Sequence, residues 1–197
     1  MKYSYALMRV CLLLVTATLC HAQRPQPSPS STEPRTKLEA FQAKTGAVII
    51  KGYTEVGTMA GLGGSIKIES MEFTDAQTGT KQQGIVIEAK ESGRLERESR
   101  AFVDYDEIDS LVKGLDYIGK IDASVTKLAK FEASYKTKGD LSITTFNETS
   151  GYQFGVTVGS IGGIDVFFKA SDLERLKALI LEAKMHLAEA RVTDTTH

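Results

Sequence analysis

Two stretches, Phe102–Leu115 (FVDYDEIDSLVKGL) and Phe167–Ile180 (FFKASDLERLKALI), align without a gap and decide the fold. Each ends in apolar residues at helical spacing, which predicts an amphipathic helix after a strand. In both, a capping residue is followed three positions later by an acid, starting at Asp106 and at Ser171, as in a capping box. The alignment therefore predicts that one strand-to-helix corner occurs twice.

Three further fragments repeat upstream in the same order, which extends the match over most of the chain. The aligned pairs are Gly84–Ile87 with Gly155–Val158, Phe73 with Phe146, and 37–43 with 127–133. Alternating apolar residues between turn signals predict four strands before each helix. We therefore predict an α+β fold of two tandem ββββα repeats, residues 37–120 and 127–190, packed as one pseudo-twofold domain over 37–190.

The predicted strands are 41–56, 65–74, 83–89 and 98–104 in the first repeat, and 131–137, 140–146, 152–159 and 164–169 in the second. The alternation changes phase near Ser70, which predicts a bulge in that strand. Gly114 occupies the helical position that Leu179 takes in the second repeat. A glycine inside a helix costs about 1 kcal/mol relative to alanine, so it predicts a close helix crossing.

This order of elements, ββββα twice, resembles that of the Whirly-type and PUR-type proteins, which bind single-stranded nucleic acids. The resemblance implies antiparallel sheets and amphipathic helices packed about a pseudo-twofold axis. The resemblance consists of the order of elements and includes no signature motif. It therefore supports the predicted packing more than it supports nucleic-acid binding.

Residues 1–22 are typical of a secretory signal peptide. Lys2 and Arg9 precede the apolar run Val10–Leu19, and Ala22 fits the cleavage position. The run is about half of the roughly 20 residues that a membrane-spanning helix needs. We therefore expect a secreted or periplasmic protein with no membrane span after cleavage.

Composition limits the mature chain further. Residues 23–36 contain all 4 prolines and predict a disordered linker, and residues 191–197 predict a frayed tail. Cys11 and Cys20 both lie in the signal segment, so the mature chain has no disulfide framework. Loss of Lys2 and Arg9 leaves 22 of the 24 basic residues against 25 acidic ones, a net charge of −3. Nucleic acid is therefore not an expected partner.

No catalytic, metal or cofactor motif is found in the sequence. With His21 in the signal and His197 in the tail, His186 is left as the usable histidine, which excludes the usual zinc and Ser-His or Cys-His sites. The glycine-rich stretch 57–64 lacks the ending of a phosphate loop and no helix follows it. It predicts a mobile loop, in which Gly61 and Gly63 are candidate ligand contacts.

Four further residues are candidate sites. Tyr53 and Tyr152 have polar neighbours and are the candidate exposed aromatics for ligand binding, whereas we expect most other aromatics in the core. Asn147 begins a glycosylation sequon. Leu181 and Met185, four residues apart on the polar side of the last helix, predict self-association, for which a sheet edge is the alternative.

The function that these observations favour is an exported, non-enzymatic binding or interaction protein without a cofactor, whose ligand or partner protein the sequence does not identify. Nucleic-acid binding by a Whirly-like sheet surface is one alternative, and it requires basic and aromatic residues at outward strand positions. A carboxylate-dependent hydrolase is another. It requires acids such as those of Asp104–Asp109 to converge with distant acids in a cleft, whereas acids in a first helical turn usually stabilise the helix.

Overall fold

The computed structural model describes residues 33–93, 96–149 and 151–194. The predicted signal peptide and the predicted linker up to residue 32 lie outside these ranges, as does the end of the predicted tail. Within the described ranges, no helix combines the length and the apolar character needed to cross a bilayer.

The described chain is an α+β fold with two four-stranded antiparallel sheets and three helices. The first sheet contains, in chain order, β1 (Ile49–Gly61), β2 (Gly64–Asp75), β3 (Lys81–Glu91) and β4 (Glu98–Asp104). The second sheet contains β5 (Glu132–Lys136), β6 (Leu141–Glu148), β7 (Gly151–Val158) and β8 (Ile164–Lys169). The helices are α1 (Lys37–Gln42), α2 (Ile108–Ile118) and α3 (Leu173–Asp194).

Each long helix packs on the sheet other than the one that it follows in the chain. α2 follows the first sheet but lies on β5 and β6, whereas α3 follows the second sheet but lies on β1, β2 and β3. The buried helical residues are Ile108, Leu111, Leu115 and Ile118 in α2, and Leu173, Leu176, Ile180, Ala183 and Leu187 in α3. They join side chains of both sheets in one core, so the two sheets depend on each other for burial.

The exchange of helices creates two close contacts between a helix and a strand. A Cβ at Gly57 in β1 would lie 2.8 Å from Cδ2 of Leu179 in α3, and a Cβ at Gly114 in α2 would overlap the ring of Tyr135 in β5. The predicted close approach at Gly114 therefore exists, but its partner is an aromatic ring on a strand and not a helix.

A hairpin tip from one sheet also meets the edge strand of the other. The Leu62 amide donates to the Phe167 carbonyl at 2.8 Å, and the Phe167 amide donates to the Leu62 carbonyl at 2.9 Å. A second bridge joins Phe102 in β4 to Gly139, between β5 and β6. The mobile loop predicted over residues 57–64 is therefore wrong, because β1 continues to Gly61 and a tight turn follows it.

The N-terminal helix covers the outer face of the first sheet. Leu38 and Phe41 of α1 pack on Met71, Phe73 and Val86 in a second, smaller core. The strand predicted to start at residue 41 is therefore wrong at its beginning. The change of phase near Ser70 in β2 is not caused by a bulge in β2, as the sequence predicted. Both faces of β2 are covered there, and the bulge lies across from it in β1, where the register shifts between Glu55 and Gly57.

Helix ends differ from the predictions in four places. The predicted capping boxes at Asp106 and Ser171 are wrong, because 3₁₀ turns, Tyr105–Glu107 and Ala170–Asp172, lead into α2 and α3 without side-chain caps. A capping box forms instead between Thr36 and Glu39. Thr36 is buried, so it belongs to the fold and not to the predicted linker. α3 also continues through the first residues of the predicted tail.

The contact between Gly114 and the Tyr135 ring gives a test of the packing. We expect Gly114→Ala to destabilise the protein by about 1–2 kcal/mol, because overpacking costs about 1–3 kcal/mol and exceeds the gain of about 1 kcal/mol in helix propensity. Urea unfolding measures the change. Ser110→Ala, at an exposed position of the same helix, is the control and should be neutral or slightly stabilising. An unchanged or higher stability of Gly114→Ala would contradict the contact.

Candidate functional site

The outer face of the second sheet is a regular surface that no described helix covers. β8 alternates strictly, with Ile164, Val166 and Phe168 buried and the residues between them exposed. The strand register extends this outward set across the sheet. We call it the open face, and it consists of Glu132, Ser134, Lys136, Ser142, Thr144, Phe146, Gln153, Gly155, Thr157, Asp165, Phe167 and Lys169.

Two phenylalanine rings lie at the middle of the open face. Phe146 and Phe167 meet edge to face, with ring centroids 6.1 Å apart and an interplanar angle of 85°. Gly155 lies beneath them, since a Cβ there would be 3.1 Å from Cε1 of Phe167. Phe167 keeps 36% of its surface exposed. The absence of a side chain at Gly155 therefore leaves room for the partly exposed ring of Phe167 to pack against the sheet.

Hydroxyl groups and balanced charges surround these rings. The Ser134 and Thr144 hydroxyls are hydrogen-bonded to each other at 2.7 Å, and the Thr157 hydroxyl donates to Asp165 at 2.6 Å. The four charged residues of the open face are Glu132, Asp165, Lys136 and Lys169. Acids and bases are equal in number, so the surface offers polar contacts without an excess of either charge.

A cleft deepens the open face where the first sheet's hairpin tip meets β8. It has a volume of about 270 Å³, and its lining includes Gly61, Leu62, Gln153, Phe167, Lys169 and Asp172. A Cβ at Gly61 would lie 2.5 Å from the Phe167 carbonyl oxygen, so this glycine permits the close contact between the sheets. The cleft therefore combines an aromatic wall with an amide, a cation and a carboxylate.

The same face of the first sheet is closed by α1, and one residue explains the difference. Asp104 at the end of β4 accepts hydrogen bonds from the backbone amides of Lys37 at 2.9 Å and Leu38 at 3.0 Å. The carboxylate thereby fixes the first turn of α1. The aligned residue in β8 is Lys169, which has no acceptor, so the second sheet cannot hold a helix in this way.

The predicted ligand contacts do not form one site. Gly61 lines the cleft, and Gly63, with φ of +94°, makes the adjoining turn. Tyr53 lies on the first sheet, 64% exposed, with Lys51 Nζ 5.0 Å from its ring centroid. Tyr152 borders a separate cavity of about 230 Å³, and its hydroxyl accepts a hydrogen bond from the Ala123 amide at 3.1 Å.

The open-face ring of Phe167 was not among the predicted ligand contacts, because most phenylalanines were expected in the core. The strand IDVFFK itself carries the missing signal. Its alternation places Phe168 with Ile164 and Val166, and therefore Phe167 with Asp165 and Lys169 on the opposite face.

Asn147 has a structural role that competes with glycosylation. Its side-chain oxygen accepts from the Phe131 amide at 2.9 Å, and its Nδ2 donates to the Ala129 carbonyl at 2.9 Å. A glycan attached to Nδ2 would disturb the second bond. Glycosylation of Asn147 therefore stays a prediction, and this hydrogen bond opposes it.

Two acids of the stretch Asp104–Asp109 are paired with lysines. Asp106 pairs with Lys37 at 2.7 Å and Asp109 with Lys184 at 2.5 Å. Over residues 33–93, 96–149 and 151–194 there is no cluster of three or more histidine, cysteine or acidic residues able to hold a metal ion.

The most buried ion pair lies on the first sheet. Glu88 is 2% exposed and accepts from Arg100 Nε at 2.7 Å, while Lys67 lies 3.2 Å from its other oxygen. Burial alone would raise the pKa of Glu88, but the hydrogen bonds from Arg100 and Lys67 outweigh it and lower the pKa below the ordinary 4.5. The charged form therefore stabilises the fold above pH 4.5, and this contribution is lost as the pH falls below that value.

We expect Glu88→Gln to lower the free energy of unfolding by about 2 kcal/mol at pH 7, because hydrogen bonds to a charged group are lost while Arg100 and Lys67 stay partly exposed to solvent. The difference from wild type should shrink as the pH falls below 4.5, because the native carboxyl group then takes up a proton and resembles the glutamine amide in charge. Urea unfolding across this range measures it. Glu98→Gln removes an exposed pair with Lys90 and should cost less than about 1 kcal/mol. An equal loss at pH 3 and pH 7 would rule out this role for the charge.

No protein-family profile matches this chain, and no curated protein matches its sequence.

Proposed function

We propose that this protein is an exported, non-enzymatic binding protein that recognises a neutral, hydroxyl-rich polymer, such as a glycan, on the open face. The observation that carries the proposal is the contrast between the two sheets. The outer face of the first sheet is closed by Leu38 and Phe41 of α1, whereas the corresponding face of the second exposes the ring of Phe167, which packs over Gly155.

The chemistry of the open face suits a sugar ring. The apolar face of a sugar can stack on the exposed ring of Phe167, and aromatic contacts of this kind contribute about 1 kcal/mol beyond burial. Gln153, Lys169 and Asp172 border the same ring, and their amide, ammonium and carboxylate groups complement hydroxyls as donors and acceptors. The surface therefore offers both parts of glycan recognition without a catalytic group.

The nucleic-acid alternative shares the aromatic part of this surface but lacks the electrostatic part. Binding of single strands combines stacking with a positively charged groove. On the open face, Lys136 and Lys169 are offset by Glu132 and Asp165. The balance of charge favours a neutral polymer over a polyanion.

The proposal includes a duplicated ββββα architecture with a pseudo-twofold axis, in the order that resembles Whirly-type proteins. Reciprocal contacts support it. The Leu62–Phe167 bridge has a counterpart between Gly139 and Phe102, and Phe102 and Phe167 are aligned in sequence. The aligned helix positions Gly114 and Leu179 likewise each pack on the first strand of the opposite sheet. Residues 37–43 are outside the symmetry, since α1 has no helical counterpart within the described residues before β5.

Export is part of the same proposal and depends on the predicted signal peptide at residues 1–22. Secretion or a periplasmic location would place the open face where extracellular or cell-wall polymers are present. Western blotting of cell fractions, with the processed N-terminus sequenced, tests this part separately from binding.

Native gel electrophoresis through gels containing laminarin, hydroxyethyl cellulose or dextran tests the binding. We expect at least one of these polysaccharides to retard the wild-type protein. Phe167→Leu should weaken that retardation by about fivefold, which corresponds to about 1 kcal/mol. Leucine keeps the apolar packing on Gly155 and the backbone bridge, so the variant should remain folded.

Tyr53→Leu is the matched control, because it removes an exposed aromatic ring from the other sheet and should leave retardation unchanged. A wild-type protein that none of the polysaccharides retards would contradict the glycan proposal. Salt-sensitive binding of an oligo-dT strand that is lost in Phe167→Leu would favour the nucleic-acid alternative instead.

A further inference from the structure

Helix α3 has a second apolar stripe, on the side away from the core. Its members recur at alternating spacings of three and four residues, and they are Ala178, Leu181, Met185, Ala188 and Val192. Leu181 is 39% exposed and Met185 is 58% exposed. This spacing is the seam of a two-stranded coiled coil. One apolar stripe of α3 therefore closes the core, while the other faces outward.

Charges of opposite sign border the outward stripe. The positions on one side are basic, Lys177, Lys184 and Arg191, and those on the other side are acidic, Glu182 and Glu189. In heptad terms the bases occupy g positions and the acids occupy e positions. Two helices that run in the same direction bring g of one helix next to e of the other, whereas opposed helices bring e to e and g to g. Only the parallel arrangement places the basic edge against the acidic edge.

The basic edge is held in place by α2. Lys177 lies 2.8 Å from Asp116 and 2.7 Å from Glu174, and Lys184 lies 2.5 Å from Asp109. Each ammonium group has three donors, so a lysine can keep these partners and also bind a carboxylate of a second copy. Glu182 on the other border is exposed.

We propose that the outward stripe of α3 binds the same stripe of a second copy of this chain, forming a parallel, in-register coiled-coil dimer. Met185 packs on its counterpart at an a position, and Leu181 packs on its counterpart at a d position. Lys177 and Lys184 of one copy face Glu182 and Glu189 of the other. One helix face buries less area than the roughly 800 Å² per partner of a standard interface. We therefore expect a weak dimer that forms only at high protein concentration.

Sedimentation velocity of the purified protein over a hundredfold concentration range tests the dimer. We expect wild type to shift from monomer to dimer, and Met185→Glu to stay monomeric throughout. Tyr117→Glu, at an exposed position of α2, is the control and should dimerise like wild type. Equal melting temperatures of the two variants would show that the charge acts on association and not on folding.

Cysteine cross-linking tests the direction of the helices. With Cys11 and Cys20 replaced by serine or absent after processing, Leu181→Cys and Ala188→Cys are oxidised separately. The two positions are about 10 Å apart along the helix. In a parallel dimer each cysteine meets its own counterpart and both variants form disulfide-linked dimers. In an antiparallel dimer at most one of the two positions lies near the symmetry axis.

Three results would overturn the proposal. The first is a wild-type protein that remains monomeric over the whole range. The second is a dimer that survives Met185→Glu but is lost in Ile50→Lys, which would assign association to the exposed edge of β1. The third is cross-linking of only one cysteine variant, which would show opposed helices.

Discussion

The two sheets are joined by backbone hydrogen bonds between a hairpin tip and an edge strand, and most of the molecule depends on this joint. Leu62 pairs with Phe167 in both directions, which is possible only because Gly61 has no side chain to meet the Phe167 carbonyl. The pairing gives hydrogen-bond partners to the amide and carbonyl of Phe167, which would otherwise be unpaired at the edge of β8.

Exchange of the helices closes the core that the two sheets share. α2 lies over β5 and β6, and α3 lies over β1, β2 and β3. Leu179 then needs the space above Gly57, and Tyr135 needs the space above Gly114. In each contact a large side chain fills the space above a glycine, so a larger residue in place of either glycine would strain the side chain packed on it. Neither sheet with its own following helix contains a closed core, and we therefore expect the two halves to fold as one cooperative unit.

The sequence predicted the parts of this fold that local patterns control. β4 and β8 have the predicted bounds because strict alternation and flanking turns mark them. α1 was missed because Thr36 and Glu39, which form a capping box, border a proline-rich stretch that was assigned to a linker. The pairing of Gly114 with Tyr135 depends on tertiary packing that no local pattern contains. Phe167 could have been placed on the outer face from alternation alone, whereas its position beside Gly61 required the relative placement of the two sheets.

The bulge in β1 affects how the molecule behaves at high concentration. β1 is a 13-residue strand at the edge of its sheet, and long flat edges recruit strands from other molecules into aggregates. The register shift at Val56 interrupts the regular ladder midway and increases the local twist. An incoming strand would find two short segments in different registers instead of one continuous template. This irregularity protects a disulfide-free fold from polymerising through its longest strand.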